Sequence, residues 1–188
     1  NNIEVCSNSS VILTATATEG TVFWYDAITG GNLLETGNTF TTPVLTNSKT
    51  YYAAASPEGC ETSDRLAAVV TVYAVPVANN PVDNRICDDD GDGFYNFNFD
   101  TDTTPQILND QAITEFEVLY FNTRSDAEAN VAGSNITSPY TNTTAFTLET
   151  IYARIHNKND NSCSAIVAFN LFVSETPIPT QPVPYRVC

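Results

Sequence analysis

Asn80-Pro81-Val82-Asp83-Asn84-Arg85-Ile86-Cys87 returns late in the chain as Gln181-Pro182-Val183-Pro184-Tyr185-Arg186-Val187-Cys188, with matches at the Pro, Val, Arg, apolar and Cys positions. The segments between these marks correspond as well. Val22-Phe23-Trp24-Tyr25 aligns with Val118-Leu119-Tyr120-Phe121, Thr50-Tyr51-Tyr52-Ala53 with Thr150-Ile151-Tyr152-Ala153, and Cys60 with Cys163. Each unit closes on an apolar run followed by proline, at Pro76 and Pro177. A spacing of roughly 100 residues between such marks is the size of one small sandwich domain, and self-similarity at a fixed period is the mark of a repeat array.

Composition points the same way. Thr, Val, Ala, Asn, Tyr and Phe dominate, strong helix formers are few, and 42% of the 188 residues are hydrophobic, which favours strands with buried cores. Val11–Ala17 alternates apolar and small polar residues, Thr21–Asp26 and Phe116–Asn122 are aromatic strands, and Gly30-Gly31-Asn32 is a turn before Leu33-Leu34. Thr39–Pro43, Thr50–Ser56 and Ala67–Val75 complete the first set, with Pro57-Glu58-Gly59 as a turn before Cys60. In the second unit the alternation of Tyr95, Phe97 and Phe99 with Asn96 and Asn98 predicts a strand, and Thr150–Ile155 and Ile166–Val173 the late strands. Residues 125–132 predict one helical turn, with Ser125 capping over Glu128. The expected fold is all-β: two tandem immunoglobulin-like Greek-key β-sandwich domains at 1–77 and 78–177, then a linker and the start of a third repeat at 178–188.

Seven Lys and Arg stand against 22 Asp and Glu, a formal net charge of −15. That charge repels polyphosphates and anionic lipid, so nucleic acid and direct membrane insertion are not expected, whereas divalent cations are attracted. The sequence has no Met, no signal-like segment and no apolar run near the ~20 residues a membrane helix needs. The expectation is an internal piece of a longer precursor.

The five cysteines form no CxxC pair. Their matched positions predict the pairs Cys6 with Cys60 and Cys87 with Cys163, leaving Cys188 for a partner elsewhere, and hence an oxidising, extracellular location. Free thiols are the competing reading.

The stretch Asp88-Asp89-Asp90-Gly91-Asp92-Gly93 fits the D-x-D-x-D-G opening of a calcium loop. Asp88, Asp90 and Asp92 supply carboxylates, Gly93 permits the sharp turn, Phe94 offers its carbonyl and Asn96 a side chain. Phe99 stands where a bidentate Glu is expected, so Asp100 or Asp102 must substitute, or Asp160, which the Cys87–Cys163 pairing would carry to the loop together with Asn159. The cofactor expected is structural calcium; a solvated acidic linker is the alternative. Ser7-Asn8-Ser9-Ser10 follows the first cysteine without a carboxylate, so no site is expected there.

Trp24 is expected in the core; the alternative is a sugar-stacking platform built from Trp24, Tyr25 or Tyr120. His156 is the only histidine, read as a surface residue. Neither a nucleophile–base pair, a phosphate cradle nor H-E-x-x-H is present, so no enzyme is expected. Asn8, Asn135 and Asn142 begin N-x-S/T acceptor triplets, which a Thr- and Asn-rich chain produces by chance.

Trp24-Tyr25, Gly30-Gly31, Thr50-Tyr51-Tyr52 and Gly59-Cys60 together resemble the Ig-like repeats of very large surface proteins of Bacteroidetes-type bacteria. Cys87 to Phe94, with Asp126-Ala127 and Ile151-Tyr152-Ala153-Arg154, resembles the companion repeat of gliding-motility adhesins. The resemblance implies type IX secretion, display at the cell surface and adhesion to polysaccharide, a substratum or other cells. The function expected is a structural stalk segment whose partners are neighbouring Ig-like repeats, with a carbohydrate-binding module as the alternative.

Overall fold

The computed structural model of the protein describes residues 2–57 and 64–177. Cys60, Cys188 and the whole of 178–188, expected as linker and third repeat, lie outside the described residues.

The first repeat contains β1 (Asn2–Cys6), β2 (Ile12–Thr14), β3 (Thr21–Tyr25), β4 (Leu33–Thr36), β5 (Thr39–Thr41), β6 (Lys49–Ser56) and β7 (Leu66–Tyr73). Five strands form one sheet in the order β1-β7-β6-β3-β4, and β2 pairs with β5 in a second. Strands β3, β4, β6 and β7 are mutually antiparallel where they meet, whereas β1 runs parallel to β7. That crossover to the edge is what makes the unit a Greek-key sandwich rather than a meander. Period-two burial builds its core: Leu13 and Phe40 point inward between exposed neighbours, and Val22 and Trp24 face them from β3. Trp24 is 1% exposed, donates from Nε1 to the Gly37 carbonyl at 3.0 Å, and packs near Phe40, whose ring meets Tyr51 edge-on at 5.1 Å.

The second repeat contains β8 (Asn84–Cys87), β9 (Asn96–Phe97), α1 (Phe99–Asp102), α2 (Thr104–Leu108), β10 (Phe116–Phe121), α3 (Arg124–Ala129), β11 (Asn135–Ile136), β12 (Tyr140–Thr141), β13 (Glu149–Asn157) and β14 (Ser164–Ser174). Its large sheet runs β11-β10-β13-β14-β8, with β8 parallel to β14, and β12 pairs with β9 apart from it. The topology repeats that of the first unit strand for strand.

The expected strand through Phe99 is a strand of two residues followed by helix. Asn98 caps α1 by accepting from the Thr101 N–H, Asp100 and Asp102 lie in its first turn, and Pro105 opens α2. The helix turns Phe99 fully inward, where its ring lies 4.6 Å from Tyr120 and 5.6 Å from Phe169. Helix α3 starts one residue earlier than expected and is capped by Thr123, not Ser125: Thr123 Oγ1 accepts from the Asp126 N–H at 3.1 Å and donates to the Asp126 carboxylate at 2.7 Å. Left-handed Asn130 ends it.

By contacts the chain divides into two compact units. One comprises Asn1–Val77, Ala112–Glu117 and His156–Ala165; the other comprises Ala78–Gln111, Val118–Ile155 and Ile166–Cys188. Among the described residues no helix is long and apolar enough to cross a membrane.

Candidate functional site

The disulfide in the structure joins Cys6 to Cys163, with Cα atoms 5.3 Å apart and a sequence separation of 157. Neither expected pair forms, and strand length explains why. Cys87 ends β8 opposite Ser174, the last residue of β14, while Cys163 stands just before Ser164, the first. Ten residue steps of strand span about 33 Å, against a limit of about 7 Å between bridged Cα atoms. Cys6 likewise lies opposite Tyr73, at the end of β7 remote from the β6–β7 connection that holds Cys60 in sequence. Cys87 is a free, exposed thiol.

Around Cys163 the β13–β14 turn is built to hold its shape. Asp160 accepts from the Ser162 N–H at 2.9 Å and hydroxyl at 2.7 Å, and its carboxylate lies beside the disulfide. Asn157, 1% exposed, is the pivot: its Oδ1 accepts from the Asn159 N–H, and its Nδ2 donates to the Ala74 carbonyl at 3.3 Å and to Glu115 at 3.4 Å. Lys158 donates from its backbone to the Glu115 carbonyl and from Nζ to that of Ile113. His156, expected at the surface, is buried, with Nε2 3.4 Å from the Glu117 carboxylate. The sequence reading missed Asn157 altogether, because a buried amide that bridges distant backbone leaves no local pattern.

The segment that leads into β8 is also tied down. Asn79 donates from Nδ2 to the Ile107 carbonyl at 2.9 Å, and the Val82 N–H reaches the Gln106 side chain at 3.0 Å.

The aspartate loop follows Cys87. Asp88 is only 5% exposed and accepts from the backbone N–H groups of Asp90, Gly91 and Gly93; Asp90 accepts from Asp92, and Asp92 from Phe94 at 2.7 Å. Carboxylate oxygens of Asp88, Asp90 and Asp92 all lie within 4.8 Å of one another. Burial pushes the Asp88 carboxyl up, but the Gly93 and Gly91 N–H groups outweigh it and hold the acid below its ordinary value. Asp90 goes the other way. The Asp92 N–H lowers it, yet the hydrogen bond with Asp88 and the neighbouring charges leave it raised. Gly93 has φ +79°, and a Cβ there would lie 2.6 Å from Ala145 Cβ and 2.9 Å from the Phe146 ring, so only glycine fits.

Of the other expected ligands, Phe94 exposes its ring and gives its N–H to Asp92. Asn96 accepts from the Thr141 hydroxyl, Asp100 sits in the first turn of α1, and Asp160 belongs to the unit that holds the disulfide. Neither Asp100 nor Asp160 joins the three clustered aspartates. Asp160 was expected there through a bond that Cys163 makes with Cys6 instead. Glu175, which the sequence reading overlooked, lines a cleft of about 400 Å³ with Asp88, Asp89, Asp90 and Phe146. Strand register places it there: Asp88 donates its N–H to the Ser174 carbonyl, and the Thr176 hydroxyl donates to the Asp88 carbonyl.

The proposed stacking platform is not available. Tyr25 is 7% exposed beneath the Arg65 guanidinium, 3.4 Å from its ring centre, and Arg65 is itself held by the carbonyls of Ala27 and Gly30. Tyr120 is 4% exposed, with its hydroxyl 2.6 Å from Thr104 Oγ1. Both rings, like Trp24, do more for the core than for a ligand.

Residues 83–178 match the family described as Flavobacterium inter-domain disulphide bond domain. The chain belongs to the Flavobacterium inter-domain disulphide bond domain family. Residues 1–73 match a second family, the CHU_C-associated Ig-like domain, so Cys6–Cys163 joins one matched region to the other, as the first family's description states. Membership in the inter-domain disulphide bond family makes this a structural, extracellular Ig-like repeat, consistent with the resemblance to Bacteroidetes-type surface repeats. No curated protein matches. Among solved structures, the chain is similar to Drosophila OTK extracellular domains 3-5 at 10% identity and TM-score 0.46, over 93% of this chain and 59% of that one. It is similar to the I-band fragment I67-I69 from titin at 16% identity and TM-score 0.43, over 93% of this chain and 63% of the other. The chain therefore spans less than two thirds of either.

Proposed function

We propose that the chain is a stalk segment of a secreted cell-surface adhesin, non-catalytic, whose work is to transmit tension. The observation that carries this is the Cys6–Cys163 bond. Tension applied at the two ends enters at β1, crosses the disulfide and leaves along β14, so the 156 residues between the cysteines are shielded from extension. The hydrogen bonds of Asn157 and Asn79 to the residues flanking the connection support the same role.

Pulling single oxidised molecules by their ends tests it. Of 188 residues, 156 lie between the bonded cysteines, leaving 32 to extend to about 110 Å, whereas the reduced chain extends to roughly 650 Å. An oxidised molecule that releases the longer length at low force would end this reading.

The aspartate loop is proposed as a structural calcium site. Its donors are all hard oxygens, three carboxylates already crowd one point, and Glu175 stands in the same cleft; a bound cation would relieve their repulsion and stiffen the entry to the second repeat. In thermal unfolding, excess chelator should lower one transition, and Asp90→Ala should abolish that response. An unchanged midpoint with and without calcium would leave the loop as solvated acid. Adhesion, and gliding within it, fit the resemblance; a carbohydrate-binding role has no exposed aromatic among Trp24, Tyr25 and Tyr120 to support it.

A further inference from the structure

The two repeats share a plan but close their sandwiches differently. Since Cys6 lies opposite Tyr73 and Cys87 opposite Ser174, the register makes Ala68 of β7 the counterpart of Phe169 of β14, and Leu66 that of Val167. Trp24 corresponds to Tyr120 and Ala53 to Ala153 in the same way. In the second repeat these positions are sealed. The segment between β9 and β10 carries α1 and α2, and Phe99 of α1 lies 4.6 Å from Tyr120 and 5.6 Å from Phe169, over a buried Ala153 and a Val167 that is 7% exposed. In the first repeat the corresponding link from β2 to β3, Ala15 to Gly20, contains no helix and no aromatic or branched aliphatic residue. Leu66 is accordingly 78% exposed. A groove of about 500 Å³ opens over Ile3, Ala53, Leu66 and Ala68 on one sheet and Thr14 on the other, with Trp24 at its closed end.

The groove borders a strand edge. On one side of β2 the Val11 carbonyl accepts from the Thr42 N–H, and the Ala15 N–H donates to the Asn38 carbonyl, both at 2.9 Å. Antiparallel alternation turns the N–H and C=O of Ile12 and Thr14 to the opposite side. Among the described residues β2 pairs with β5 alone, so that side carries no strand.

We propose that this groove is a docking site for an extended peptide of a partner protein, which adds a strand to the free edge of β2 and lowers an aromatic side chain onto Ala53, Leu66 and Ala68. The second repeat supplies the chemistry of the occupant, because the group that seals the equivalent place there is the ring of Phe99. The edge supplies the reason for a peptide: a strand backbone answers the outward groups of Ile12 and Thr14 at their own spacing, while alternate side chains enter the groove. No charged side chain lines the site. In a chain of formal charge −15, a neutral or basic peptide is favoured over an acidic one.

Trp24, the only tryptophan, gives the site its own reporter. The isotope-labelled 188-residue chain is titrated with acetyl-KTFTVT-amide, and the Trp24 indole N–H and the backbone amides of Thr14 and Ala68 are followed by NMR. These resonances should shift saturably, with a Kd on the order of 1 mM or tighter. The same peptide with alanine in place of phenylalanine should bind about tenfold more weakly. Ala68→Phe, which installs the ring that the second repeat carries at this position, should abolish the shifts. Leu66→Ser, at an exposed site where folding is not at stake, should weaken binding several-fold. Absence of shifts up to about 10 mM peptide, equal affinity for the two peptides, or variants that bind like the parent would overturn the proposal. The same resonances moving with protein concentration alone would seat a second copy in the groove, and a response to toluene without one to the peptide would make it a small-molecule site; either result rejects the peptide.

Discussion

Asn142 shows how one buried amide can hold a loop whose chemistry lies elsewhere. Its Oδ1 accepts from the Tyr95 N–H at 2.8 Å, and its Nδ2 donates to the carbonyls of Gly93 and Thr144 at 2.9 and 3.1 Å. Asn142→Ala leaves those backbone groups without their partner in a buried setting, a loss of roughly 2 kcal/mol, measurable by denaturant unfolding; a change below about 0.5 kcal/mol would mean that water replaces the amide. The same burial removes Asn142 as a glycan acceptor despite its N-x-T triplet. Legibility at this scale follows distance in sequence. Asp88, Asp90 and Asp92 could be read because alternate residues of one tight loop converge on a point, and Trp24 because a large ring on a central strand fills a core. Glu175, Asn142 and Asn157 could not, since each acquires its role only when strand pairing delivers it to residues far away in the chain.

Between residues and domains, the elements most easily read were the long strands. Thr50–Ser56 and Ala67–Val75 fall within a residue or two of β6 and β7, because β-branched and aromatic residues fit a pleated, half-buried surface. Short elements were misread where two signals compete. Tyr95, Phe97 and Phe99 keep a period of two, yet the Asn98 cap and the acidic first turn bend the chain into α1. Strand β8 is another element that local pattern underdetermines, since four residues carry little register information. Asp83 helps to fix it: its carboxylate accepts from the Asn170 N–H at 2.9 Å and from Asn170 Nδ2 at 3.2 Å. Those bonds, with help from Arg85, hold the Asp83 carboxyl below its ordinary value. A depressed folded-state acid contributes stability that is present above the unfolded pKa, about 3.9, and is lost as pH falls through the folded value. Asp83→Asn should therefore shallow the loss of stability between about pH 5 and pH 2, followed by urea midpoints across that range; parallel curves for the two proteins would show that Asp83 contributes nothing to the acid limb.

For the whole molecule, the repeat was legible and the cross-link was not. Matching positions identify which cysteines are equivalent, but equivalence says nothing of pairing, which depends on which ends of the strands meet. A parallel first strand, β1 on β7 and β8 on β14, carries its cysteine away from the turn cysteine of its own repeat. The bond that results closes a loop of 157 residues, far longer than an intradomain pair would close. On the chain-entropy account a loop of that length restricts the unfolded state by roughly 5 kcal/mol, while measured values for native disulfides centre on about 2 to 4. Replacing both partners, Cys6→Ser with Cys163→Ser, avoids leaving a thiol free to exchange with Cys87. The double variant should lose about 2 to 4 kcal/mol in guanidinium unfolding at neutral pH, and reductant, which lowers the midpoint of the parent protein, should leave the variant's unchanged. Were the variant as stable as the parent, the disulfide would be a passive tether that matters only under tension, and the constraint on the unfolded chain would have to be discarded as its contribution at rest.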